Sequence, residues 1–65
     1  MSANRLNTRA IDPLHTIRQI AAICQVSEKT VRRWIERGEL VAYRLGRQWR
    51  IAVPDLENFL KLRRQ

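Results

Sequence analysis

The sequence predicts a small α+β domain: two short helices, then a two-stranded hairpin, then one closing helix. Three observations predict it. Residues 16–37 hold two amphipathic helical patterns separated by a break of three or four residues. Residues 40–53 switch to the alternation of strands around Gly46-Arg47. Residues 54–60 return to helical spacing behind a proline. Sixty-five residues make one domain. Such a chain buries only roughly 60% of its unfolded surface, so its core is small and its stability modest.

Residues 1–14 show no sustained period, and Asp12-Pro13 favours a turn or extended chain. A flexible N-terminal arm is expected over 1–14 and the folded domain over 15–65. Thr16 and Gln19 have the spacing of a capping box, which starts the first helix. Ile17, Ile20, Ala21 and Cys24 then fall on one helical face. The small Ala21 stands where the two helices must touch. The helix is expected to end near Cys24, with Gln25 in the left-handed turn where Gly is preferred.

Ser27 is the cap of the second helix, over about 28–37, its hydroxyl accepting from the amides of residues 29 and 30. Glu28 lies at the positive end of that helix. Val31, Trp34 and Ile35 make the buried face, leaving Lys29, Arg32, Arg33 and Glu36 opposite. Gly38 ends the helix. With Gly46 and Arg47 as the turn, the hairpin pairs Leu45 with Gln48, Arg44 with Trp49, Tyr43 with Arg50 and Ala42 with Ile51. Ala42, Trp49, Ile51 and the Arg44 stem then face the core, and Tyr43 and Arg50 face outward. Pro54 suits the first turn of the last helix, with Asp55 and Glu57 near its positive end. Leu56, Phe59 and Leu60 form its apolar stripe, and Lys61, Arg63 and Arg64 sit near its negative end.

Two helices joined by a tight turn, the second cationic on its free face, have the layout of a helix-turn-helix, which sets a helix in the major groove of DNA. Charge agrees. Thirteen Lys and Arg against six Asp and Glu leave +7, and eleven of the thirteen are Arg. Its planar fork pairs bidentately with phosphate and with guanine edges. The expected partner is double-stranded DNA. Ser27, Glu28, Lys29, Thr30, Arg32 and Arg33 are the candidate major-groove residues. Arg47 and Gln48, at the hairpin tip, are the candidates for the minor groove. Arg18, Tyr43, Arg44 and Arg50 are candidate phosphate contacts. Arg5 and Arg9 of the arm could add to these. The competing reading of the second helix is a solvated charged face, with Glu28 paired to Arg32 one turn on.

Helix, turn, helix, hairpin, helix is the order of a winged helix-turn-helix. Four stretches carry a closer likeness: Ile20-Ala21-Ala22-Ile23-Cys24-Gln25-Val26-Ser27-Glu28-Lys29-Thr30-Val31-Arg32-Arg33-Trp34-Ile35, Gly38-Glu39-Leu40, Arg44-Leu45-Gly46-Arg47-Gln48-Trp49-Arg50-Ile51, and Asp55-Leu56-Glu57-Asn58-Phe59-Leu60. In these the chain resembles the excisionase family, related to the DNA-binding domain of MerR-like regulators. The likeness covers about residues 15–61. Two positions depart from the family pattern. Gln25 stands where Gly or Asn is usual, and Val41 where Pro often follows the residue matching Leu40, which implies a longer first strand.

The resemblance implies a wing that binds DNA and a recombination directionality factor. Such a protein binds beside attachment sites, bends DNA and helps an integrase excise a mobile element, with further copies of itself on tandem sites. A small transcriptional regulator is the alternative within DNA binding. A protein-interaction adaptor docking a partner on its last helix is the alternative of another class.

Other chemistries find little support. One Cys and one His cannot form a metal cluster, and one Cys cannot form an internal disulfide. A catalytic Cys-His pair would need an orienting group and a cleft. Neither an enzyme, nor a cofactor, nor a small-molecule substrate is expected. Trp34 and Phe59 fall at core positions, Trp49 is expected half-buried, and Tyr43 is the outward aromatic, which leaves no ladder for stacking single-stranded bases. No apolar run approaches a membrane span and the N-terminus has no apolar signal stretch, so a DNA-associated protein of the cytoplasm is expected.

Overall fold

The computed structural model describes residues 13–63. The element order is β1 (Leu14–His15), α1 (Ile17–Cys24), α2 (Glu28–Glu36), β2 (Tyr43–Leu45), β3 (Gln48–Ala52) and α3 (Val53–Leu62). This is a winged helix-turn-helix, with a three-stranded antiparallel sheet in the order β1-β3-β2.

Both expected helix starts are present. Thr16 Oγ1 accepts from the Gln19 amide at 3.0 Å, and Gln19 Oε1 accepts from the Thr16 amide at 2.9 Å, completing the capping box. Ser27 Oγ accepts from the Thr30 amide at 3.1 Å.

Both helix ends close in the same way. After α1, Gln25 takes a left-handed φ of 58°, and the Val26 amide reaches back to the Ala21 carbonyl at 3.0 Å. After α2, Gly38 has φ 75°, its amide bonds Ile35 O, and the Glu39 amide bonds Trp34 O at 2.9 Å. These are Schellman turns, which satisfy carbonyls that a helix end leaves free. Space around Gly38 is open: a Cβ there would meet nothing within 4 Å. Gly38→Ala therefore costs conformational energy alone, about 1 kcal/mol. A fall in melting temperature of about 4–8 °C is the expected result in a thermal melt.

The core is one cluster. Ile20, Val31, Leu40 and Ile51 are fully buried, with Ile17, Ala21, Ile35, Leu56 and Phe59 around them. Ala42, Trp49, Trp34, Val26 and Cys24 pack on its rim. The three helices and β3 thus turn their apolar faces to one centre, as the periodicity requires. Burial pushes the Cys24 thiol above its ordinary pKa. Its thiolate population at neutral pH is correspondingly low, so labelling by a maleimide or disulfide reagent should run slower than for a free cysteine peptide and speed up as pH rises.

Four expectations need correcting. Leu14, assigned to the arm, pairs with Ala52, and His15 pairs with Ile51, so the folded domain reaches back into a third strand. The rest of the expected arm, residues 1–12 with Arg5 and Arg9, lies outside the described residues. The first hairpin strand begins at Tyr43, so it is not lengthened by Val41, and Ala42 does not join the ladder. Leu40 is buried at 1% and holds the chain against the core up to that point, and only beyond it does the backbone become free to pair. Leu60 is 45% exposed, because the single turn of α3 that meets the core is filled by Leu56 and Phe59.

The end of α3 is tied back to the helix-turn-helix. Trp34 and Phe59 rings lie 4.7 Å apart, tilted by 44°. Arg63 stacks over both, 4.5 Å from Phe59 and 5.7 Å from Trp34, while its guanidinium pairs with Glu39. Arg63 is therefore a structural cation. Arg64 lies outside the described residues.

Candidate nucleic-acid interface

The cations that matter are placed by three elements that begin or turn at one spot. The first turn of α1 supplies Thr16, Ile17 and Arg18; the first turns of α2 supply Glu28 and Arg32; the hairpin supplies residues 47–50. Between them lies an open groove of about 230 Å³. Two helix N-termini border it, and their partial positive charge adds to that of the side chains. Four arginines, Arg18, Arg32, Arg47 and Arg50, line it with one acidic residue, Glu28.

The hairpin reaches this groove because its register is the expected one: Tyr43 opposite Arg50, Arg44 opposite Trp49, Leu45 opposite Gln48. Gly46 carries φ 64° and Arg47 has no positive φ, the combination of a type II′ turn, so Arg47 stands at the tip. Arg50 is held along the strand, its Nη1 donating to the Trp49 carbonyl at 2.8 Å and its Nη2 donating to Gln48 Oε1. Gln48 keeps both amide hydrogens for another acceptor.

The competing pair does not form. Among the described residues the one ion pair is Arg63 with Glu39, so Glu28 and Arg32 share the groove without a salt bridge. Lys29, Arg33 and Arg47 are likewise exposed and unpaired among the described residues. A column of cations left without acidic partners is what a polyanion requires.

The structure thus brings together Arg18, Glu28, Arg32, Arg47, Gln48 and Arg50. It sets Lys29 and Arg33 on the next column of α2, one turn apart and facing solvent. The Ser27 and Thr30 hydroxyls share one hydrogen bond, at 2.9 Å, which leaves one of the two O–H donors for another acceptor. Arg44 lies over the Trp49 ring at 5.0 Å, on the hairpin face opposite Arg50. Tyr43 is 48% exposed on the Arg50 face. Thr16 and Trp49 line the groove without having been singled out for it. For Thr16 the signal was present, since a cap residue marks a helix N-terminus. Among the described residues no group of His, Cys, Asp and Glu could hold a metal ion, and no helix is long and apolar enough to cross a membrane.

A family model described as "Helix-turn-helix domain" matches residues 16–64, most of the chain. The protein belongs to the helix-turn-helix domain family. Two Mycobacterium tuberculosis proteins, each named "Putative DNA-binding protein" (Rv0500A in strain H37Rv, MT0521 in strain CDC 1551), are 38% identical to this helix-turn-helix chain over 48 residues. That stretch is 74% of this chain and 62% of either relative. "Uncharacterized protein YvgK" of Bacillus subtilis is 42% identical over 45 residues, 69% of this chain and 15% of its own length. The chain thus spans under two thirds of each of these relatives. No solved structure matches it.

Proposed function

We propose that this helix-turn-helix protein binds double-stranded DNA sequence-specifically, with α2 in the major groove and the β2–β3 wing over the adjacent minor groove. The observation that carries the reading is the convergence of Arg18, Arg32, Arg47 and Arg50 on one groove at two helix N-termini. In this pose Arg32 and its neighbours on α2 reach base edges, while Arg18 and Arg50 take phosphates and Arg47 enters the minor groove. The names of the mycobacterial relatives agree with such a partner.

More narrowly, the protein acts as an architectural factor of excisionase type, doing no chemistry itself and serving a recombinase. The nine residues of α2 span about 13 Å, roughly four base pairs, too few to select a site alone. Useful specificity therefore comes from neighbouring copies on tandem sites or from the recombinase. Selection from a random duplex library at about 0.15 M salt, followed by a circular-permutation gel on the winner, tests both levels. A motif recurring in direct repeats with bending is the expected outcome. An inverted repeat without bending would replace the architectural role by that of a dimeric transcriptional regulator. No enrichment would remove specific DNA binding and leave an adaptor.

A further inference from the structure

The wing carries an apolar side chain that the cationic groove leaves unexplained. Leu45 is 51% exposed, at the last position of β2 before the Gly46-Arg47 tip. Its cross-strand partner is Gln48, and the next pair on the same face is Tyr43 with Arg50. Gln48 and Arg50 line the groove with Arg18 and Arg32. Leu45 and Tyr43 therefore stand on the face of the wing that carries Gln48 and Arg50, opposite the face on which Arg44 lies over Trp49. Residues 40–54 hold three arginines and no acidic residue. A surface that pairs half-exposed apolar groups with uncompensated cations complements a chain of apolar sugars strung between phosphates.

We infer that Leu45 is the wing's apolar contact with DNA, packing against the deoxyribose walls and base edges of the minor groove beside Arg47 and opening the duplex there. This rests on the double-stranded DNA reading. Side chains of this kind, set in a minor groove next to arginine, widen it and bend the duplex toward the major groove. Arg47 supplies attraction that salt screens; Leu45 supplies burial that salt does not.

That difference gives the test. Affinity for the selected duplex is measured across a salt series for the wild type, Leu45→Ala, Arg47→Ala and a control, Leu62→Ala, whose leucine is 77% exposed on α3. Thermal melts confirm folding, which truncation at these exposed sites leaves intact. Leu45→Ala is expected to bind about fivefold more weakly at every salt concentration, with an unchanged salt slope and a smaller bend in the circular-permutation gel. Arg47→Ala lowers the slope by about 0.9 instead. Leu62→Ala matches the wild type. Unchanged single-site affinity and bend for Leu45→Ala would overturn the inference while leaving DNA binding intact. So would loss confined to cooperativity on tandem sites, which would assign Leu45 to a contact between copies. Absence of binding by the wild type would instead overturn the DNA reading itself.

Discussion

Replacing Ile51 by alanine is expected to leave most of the protein unfolded at physiological temperature. Ile51 is fully buried at the centre of β3, the strand that pairs with both β1 and β2. It packs in the one cluster that joins all three helices to the sheet. Truncating a buried isoleucine costs about 2–5 kcal/mol in lost transfer energy and cavity formation. A domain of this size holds about 3–5 kcal/mol in total. The loss is therefore comparable to the whole stability, where the same change in a large domain would only lower its melting point. Denaturant titration followed by circular dichroism reads it directly: the midpoint should collapse toward zero denaturant. The wing and the helix-turn-helix should be lost in one transition, since they share this residue.

The second large effect is on binding and should leave the fold untouched. Arg32→Ala removes an exposed guanidinium that has no ion pair among the described residues, so stability should change by less than about 0.5 kcal/mol. Binding to a selected duplex should weaken by about 1–3 kcal/mol, roughly 5- to 150-fold, if Arg32 reads a guanine edge. Binding to random duplex should fall far less, so the specificity ratio falls with the affinity. A phosphate-only contact gives the opposite signature: equal losses on both duplexes and a salt slope smaller by about 0.9. Titrations of both duplexes across a salt series separate the two roles.

Much of this fold can be read in the residues, and the exceptions have physical causes. The capping box at Thr16 and Gln19, the cap at Ser27 and the turns at Gln25 and Gly38 depend on neighbours within five residues, so their spacing suffices. The hairpin register follows from one turn, because Gly46 with Arg47 fixes the three pairs behind it, from Leu45–Gln48 to Tyr43–Arg50. β1 could not be read, since two residues after a proline have no period and Leu14 is recruited by the free edge of β3. The exposure of Leu60 depends on how much of α3 the small core can cover.

The interface divides in the same way. Helical spacing identifies a cationic face on α2, yet it cannot tell the Glu28–Arg32 column, which meets the wing, from the Lys29–Arg33 column, which does not. That distinction comes from the packing of α1 on α2 and the position of the hairpin. Arg63 shows the converse. Its charge fits a DNA contact as well as any other, but Trp34, Phe59 and Glu39 engage it as a strut.

The groove's role as the DNA-binding face is tested most directly by titrating isotope-labelled protein with a selected duplex and following every amide by NMR. The account predicts that shifts concentrate at residues 16–18, 28–33 and 43–50, the segments that hold the groove residues, the α2 cations and the wing. Residues 56–62 of α3 should stay near their free positions. Shifts centred on α3, with the groove segments unmoved, would contradict it.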